Sequence, residues 1–265
     1  DAYVDPDQDG KWSSGAWSQS YEDMWGLKMV DAVGAWQSCG GTDHCMGSEA
    51  VVAVIDTGLD YNHPDIQGNL YINPEEDINQ NGRFDPFPAS QGGDFNGIDD
   101  DPEEYDSEGN SMNGYGYVDD VSGYDFTRCE EFLFFCIDFK DPDPDPIDGG
   151  GHGTHVSGTI SALTNNGMGI AGIAPLAKIL PLKGLNDQGY GESAWLAEAL
   201  VYAKSLGAQV INNSWGGSVP SSLIEEAINY AHSLGVVVVC AAGNSNADAS
   251  NVEDSVFEDS EHEGP

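Results

Sequence analysis

Apolar residues fall along this chain in two patterns. Val51-Val52-Ala53-Val54-Ile55 is an unbroken run of strand length, as expected of a strand buried on both faces. Ala177–Leu182, Val210-Ile211 and Val236–Cys240 read as further strands. Between them lie segments with helical spacing. These are Thr154–Leu163, Ser193–Leu206 (with Trp195, Ala199, Tyr202 and Leu206 on one face) and Ser221–Leu234, which Gly235 ends. Buried strands alternating with amphipathic helices predict an α/β fold, in which right-handed crossovers join the strands of a parallel sheet flanked by helices. Such sheets carry function at the C-terminal ends of their strands. Asp56, Ser214 and Asn244 all fall there.

Elsewhere the pattern breaks. The N-terminal stretch mixes Trp, Gly and polar residues, with one predicted helix near Leu27–Trp36. From about Asn73 to Asp148 the chain is rich in Asp, Asn, Gly and Pro without periodicity, which predicts a long acidic loop insertion. Asp141-Pro142-Asp143-Pro144-Asp145-Pro146 within it should be extended and stiff, because each proline fixes its own φ and restricts the residue before it. Residues 253–265 are mostly acidic and small and read as a tail. The expected organisation is an acidic segment 1–24, a domain 25–252 carrying the insertion 73–148, and the tail.

Charge narrows the partners. Eight Lys and Arg face 46 Asp and Glu, a net charge of −38. Nucleic acid and anionic membrane surfaces are excluded, since binding them requires clustered cations. The acidity admits two readings: a hydrated surface that keeps the protein soluble, and carboxylates placed for divalent cations. No apolar run reaches membrane-spanning length, and Asp1-Ala2-Tyr3 lacks a basic and then apolar leader, so the start reads as a mature or trimmed terminus. Of five cysteines, Cys39 with Cys45 and Cys129 with Cys136 each close a short loop, and Cys240 lies in an apolar strand. Two local disulfides and one buried free thiol are expected, which implies a secreted, extracellular setting.

Three short strings carry the chemistry. Asp56-Thr57-Gly58 follows the first apolar run, His152-Gly153-Thr154-His155-Val156-Ser157-Gly158-Thr159 opens a helix, and Ala241-Ala242-Gly243-Asn244 follows the last strand. In this order they resemble the signatures of the subtilisin-like serine protease (subtilase) family, from about Trp25 to Asn246. The resemblance implies a three-layer α/β fold and peptide-bond hydrolysis. It makes His152 the base that takes a serine proton, Asp56 the carboxylate that orients its ring, and Asn244 the oxyanion donor. Ser214-Trp215-Gly216 matches the segment that pairs with substrate backbone, and Gly189-Tyr190-Gly191 matches the facing edge. The implied partner is a protein or peptide in extended conformation. Trp215 stands where leucine is commoner and either reshapes the pocket or simply packs. An N-terminal propeptide and a monomeric state are also implied.

One part of the pattern is missing. The family's nucleophile lies in a Gly-Thr-Ser-Met-Ala-Pro-like helix start, and Ser245, Ser250, Ser255 and Ser260 have no such context. The 265 residues are therefore expected to be an incomplete, C-terminally truncated catalytic domain, inactive alone. The alternative is a pseudoprotease or acidic calcium-binding module that holds extended peptides without cutting them.

Calcium is the expected cofactor. By resemblance, Asn166, Met168 and Ile170 belong to the loop that wraps a structural Ca²⁺, with Asp65 adding a carboxylate and Asp23 completing the set. Separately, Asp5, Asp7 and Asp9, and Asp77, Asn79, Asn81 and Asp85, place oxygen ligands at every second residue before a glycine, like the first half of an EF-hand loop. Asp94–Asp101 is a weaker version. Ala16 and Pro88 occupy the twelfth positions instead of Glu, so these are either sites completed by distant residues or solvated turns.

Overall fold

The computed structural model describes residues 24–38, 43–98, 117–128, 130–132, 135–138, 140–217 and 219–244, and for residues 43–44, 130–132 and 135–138 the backbone only. Its centre is a five-stranded sheet in the order β2 (Tyr124–Asp125), β5 (Lys178–Lys183), β1 (Val51–Asp56), β6 (Val210–Asn213) and β7 (Val237–Cys240). Every neighbouring pair is parallel. The register pairs Asp56 with Lys183, Ile55 with Asn213, and Asn213 with Cys240, so these strands end along one edge. A separate antiparallel hairpin joins β3 (Glu130–Phe132) to β4 (Phe135–Asp138).

The period-two alternation of the central strands makes three layers. Ala53 and Ile55 of β1, Leu180 and Leu182 of β5, and Ile211 of β6 pack with α4 (Ser193–Ser205) and α5 (Ser222–Ser233). Val52, Val54 and Ile179 point the other way, towards Ile66, Leu70 and the Val156 and Ile160 side chains of α3 (His152–Ser161). Each fully buried Leu, Ile or Val here contributes about 1.5–3 kcal/mol relative to exposure.

Several boundaries differ from those the pattern predicts. The expected helix Leu27–Trp36 is two short helices, α1 (Trp25–Met29) and α2 (Ala32–Ser38), parted at Asp31, whose φ is +53°. The helix expected over Thr154–Leu163 runs from His152 to Ser161, because Gly151 adopts a left-handed φ of 88° that lets the chain turn straight into α3. The strand at Val210-Ile211 extends to Asn213.

The described parts of residues 73–148 do more than loop through solvent. Phe84 and Val121 enter the α3-side core, while Tyr124 and Phe126 enter the α4-side core. Tyr117 and Tyr202 lie 4.2 Å apart between ring centroids, Tyr117 and Tyr124 5.0 Å, and the Tyr202 hydroxyl donates to Asp120. These aromatics are scattered among Asp and Gly, so no periodicity announces them.

Cys240 also departs from expectation: it is a free thiol, but exposed rather than buried. It sits on β7, an edge strand of the described sheet, where Val237 and Val239 are likewise exposed. An apolar run says that a strand forms, not that both its faces are covered.

Candidate active site

Asp56 ends β1 fully buried, and His152 opens α3 above it. His152 Nδ1 lies 2.7 Å from Asp56 Oδ1, which also accepts from the Thr57 N–H at 2.8 Å. This approach needs Gly153, since a Cβ there would stand 2.2 Å from the Gly58 carbonyl oxygen and 3.1 Å from Asp56 Cβ. The imidazole is half-exposed. Its pKa is raised, first by the hydrogen bond to Asp56; partial burial opposes this, and the Asp56 and Asp148 charges add to it. An imidazole held at Nδ1 by a buried carboxylate is oriented to exchange a proton at its other nitrogen.

Around this pair is a carboxylate that motif reasoning missed. Asp148 Oδ1 accepts from Thr57 Oγ1 at 2.8 Å and from the Gly150 and Gly151 N–H groups, and Oδ2 accepts from the Thr154 N–H and hydroxyl. Burial would raise its pKa, but these donors together hold it below the usual value. The available signal was an aspartate shortly before a helix start. Lys183, buried at the end of β5, donates to the Thr57 and Ile147 carbonyls at 3.0 Å each and pairs with Asp187.

The expected substrate segments flank this edge. Ser214-Trp215-Gly216 follows β6, and Ser214 Oγ accepts from Asn212 Nδ2 at 2.9 Å. Gly189-Tyr190-Gly191 follows β5 in a turn closed by the Asn186 N–H on the Tyr190 carbonyl and the Tyr190 N–H on Asn186 Oδ1, with the Tyr190 ring exposed. Trp215 packs in the α4-side core, and its indole N–H donates to the Ile55 carbonyl at 2.9 Å. Of the two readings of Trp215, packing is the one its position supports. Asn244 follows β7 on an exposed turn in which Gly243 has φ +81°.

A family model described as the Subtilase family matches residues 47–260, most of the chain. The chain belongs to the subtilase family. Thermitase of Thermoactinomyces vulgaris is 32% identical over 228 residues, covering 86% of this subtilase and 57% of thermitase. Fervidolysin of Fervidobacterium pennivorans is 30% identical, covering 86% of this chain and 24% of the relative. Subtilisin-like protease 1 of Plasmodium berghei is 32% identical, covering 66% of this chain and 23% of the relative. The subtilase thus spans less than two thirds of the length of these relatives. Among solved structures, sphericase aligns with a TM-score of 0.49 at 29% identity, over 76% of this chain and 48% of that one.

Other predicted residues of this subtilase fall into three groups. The first is gathered: Asp65, 2% exposed, accepts from Asn166 Nδ2 at 2.5 Å and from the Ile170 N–H at 2.9 Å, and Asn166 Oδ1 accepts from the Met168 N–H. The second is gathered too. Asp77 accepts from the Asn81 and Gly82 N–H groups, Asn79 Nδ2 donates to Asp85 and Asp94, and Asp94 Oδ2 accepts from the Asp85 N–H. Burial raises the pKa of Asp94, and the Asp77 and Asp85 charges raise it further. Among the described residues, no cluster of three or more acidic, His or Cys side chains is shaped to hold a metal. The third group, Asp5, Asp7, Asp9, Asp23, Cys39 and Cys129, lies outside the described residues, as do 99–101 of the weaker motif. Cys45 is disulfide-bonded, and of Cys136 only the backbone is described. No helix among the described residues is long and apolar enough to cross a membrane.

Proposed function

We propose that this subtilase is a serine endopeptidase acting on extended protein or peptide substrates, and that the 265 residues supply the base, its orienting carboxylate and the oxyanion donor of its site but not the attacking serine. The observation that carries the reading is the 2.7 Å contact between half-exposed His152 and fully buried Asp56. His152 takes the serine proton and returns it to the leaving amine, while Asp56 fixes the ring and stabilises the imidazolium. Asn244 offers its side-chain NH₂ to the oxyanion. Residues 214–216 and 189–191 pair with substrate backbone on either side. No serine in the sequence stands in a nucleophile-like context.

A fluorophosphonate probe tests this. The 265-residue chain should remain unlabelled alone and support labelling once mixed with a polypeptide bearing a Gly-Thr-Ser-Met-Ala segment of a related subtilase. Labelling of the chain by itself would overturn the missing-serine claim. A second reading is a pseudoprotease that captures extended peptides without cutting them. Retained peptide binding with no labelling in any mixture selects it.

Calcium belongs to the same proposal. The set at the 165–170 loop is all oxygen, as a hard cation requires: the Asp65 carboxylate, the Asn166 amide oxygen, and the Met168 and Ile170 carbonyls. The close approach of the loop to Asp65 supports the reading, since a Cβ on Gly169 would stand 2.0 Å from Asp65 Oδ2. Bound there, Ca²⁺ would cross-link this loop to the segment carrying Asp65. Asp77, Asn79, Asn81, Asp85 and Asp94 offer a second such set. The proposal further comprises export to an oxidising exterior, Cys39–Cys45 and Cys129–Cys136 bridges, a precursor propeptide and a monomeric state.

A further inference from the structure

Hydrogen bonds around the His152–Asp56 pair form a closed ring that neither residue makes directly. Asp56 and His152 come from segments 96 residues apart in the chain. Their immediate successors, Thr57 and Gly153, are themselves joined, since Gly153 N–H donates to Thr57 Oγ1 at 2.9 Å. Thr57 Oγ1 in turn gives its own proton to Asp148 Oδ1 at 2.8 Å. Asp148 Oδ2 accepts from the N–H and hydroxyl of Thr154, one residue further along α3, at 2.8 and 2.6 Å. The ring therefore runs Asp148, Thr57, Gly153, Thr154 and back to Asp148. It fastens the end of β1 to the first turn of α3 at the point where the two functional side chains leave them.

We propose that Asp148 is a positioning residue for the His152–Asp56 pair, acting through Thr57 to fix the distance between them and through its charge to favour the protonated imidazole. This rests on the assignment of His152 and Asp56 under the proposed function.

Three features separate this from ordinary helix capping. A cap needs one acceptor on one free N–H of the first turn, as Ser221 supplies for α5 by accepting from the Ile224 N–H. Asp148 accepts five donors, and one of them, the Thr57 hydroxyl, is on a different element. The residue at the N-cap position of α3 is Gly151, which has no side chain with which to cap. Finally, His152 feels the Asp148 charge in addition to that of Asp56.

The charged groups facing His152 are Asp56 from β1 and Asp148 from the segment before α3. The Lys183–Asp187 pair at the end of β5 meets this region through backbone groups, Lys183 donating to the Thr57 and Ile147 carbonyls and Asp187 accepting from the Gly149 N–H, and bonds neither the Asp148 carboxylate nor the Thr57 hydroxyl. Asp148 is thus the second negative charge available to stabilise an imidazolium. A negative carboxylate at the N-terminal end of α3 also suits the partial positive charge of that helix end.

The test is a histidine-ring NMR titration of the full chain, with the His152 signals assigned through His152→Gln. In Asp148→Asn, the His152 pKa should shift downward, and the low-field ring proton bonded to Asp56 should broaden or vanish. Thr57→Val keeps the Asp148 charge and breaks the ring of hydrogen bonds. It should therefore move the pKa less than Asp148→Asn does, yet still broaden the ring proton, and Thr57→Ser should restore it. If Asp148→Asn fails to fold, the Thr57 pair carries the test. Unchanged titration and ring proton in both Asp148→Asn and Thr57→Val, with Asp56→Asn shifting both, would overturn the proposal alone. If Asp56→Asn shifts nothing, the assignment of the pair itself has failed.

Discussion

The two ends of the proposed site differ in how firmly they are held. At β1, Asp56 is fully buried, its partner ring is oriented, and the residues beside both, Thr57 and Gly153, are bonded to each other, with Thr57 held in addition by Asp148 and Lys183. At β7, Val237 and Val239 are 58% and 47% exposed, and Ala241 to Asn244 form an exposed turn. Both ends come from the same kind of sequence, an apolar run ending in a polar motif. The difference lies in what covers them: β1 is central with a helix layer on each face, and β7 is an edge strand of the described sheet. Proton transfer requires an oriented base, which this molecule supplies ready-made. Asn244, the proposed oxyanion donor, sits on an exposed turn after an edge strand of the described sheet.

The comparison can be broken by substitutions. The largest effect is expected in a serine-supplied assembly, where His152→Ala should lower kcat on the order of 10⁶, the magnitude known for subtilisin's own triad histidine. A loss of only tenfold would remove His152 from the chemistry. Next comes stability: Trp215→Ala removes a core side chain that also bonds the Ile55 carbonyl, and should cost about 3–5 kcal/mol in denaturant melts. A change in peptide selectivity without loss of stability would restore the pocket reading. Asn244→Ala should lower kcat in the same assembly by about 10²–10³, a range taken from subtilisin, and leave the melting temperature of the chain alone unchanged. Val239→Thr on the exposed edge should stay within about 0.5 kcal/mol of the parent.

Acidity sharpens the comparison further. Asp148 has a lowered folded pKa, so its stabilising contribution is present above the unfolded carboxylate value of about 3.9 and is lost as pH falls through the folded value. Melts of Asp148→Asn should lack that part of the acid-induced loss. His152 has the opposite sign: its raised pKa gives stability that is complete below the ordinary histidine value of about 6.5 and is lost as pH rises through the folded pKa. An identical pH dependence of melting in His152→Gln would contradict that.

Much of the fold is legible in the pattern of apolar residues because the central strands and helices bury whole faces. Val51–Ile55 and Ser193–Leu206 are the clearest cases, and the structure puts β1 and α4 there. The Asp56–His152 pairing is legible because the strings around it are specific, and Gly153 is needed for the close approach. Phe84, Phe126 and Tyr117 in the 73–148 stretch were not legible. Their burial depends on distant contacts with Tyr61 and Tyr202, which leave no local period. Asp148 was hidden for another reason: an aspartate shortly before a helix start signals a cap at most, and its wider role arises from five hydrogen bonds, one of them from the end of β1. Cys240 shows the reverse limit: its run predicts the strand but not its cover.

The central claim is that these residues alone hold His152 oriented on a buried Asp56. The most direct measurement is the His152 ring titration in the unmodified chain beside that of Asp56→Asn. The account predicts a His152 pKa above the ordinary histidine value and a low-field Nδ1 proton, both lost on substitution. An ordinary titration that Asp56→Asn leaves unchanged would contradict it.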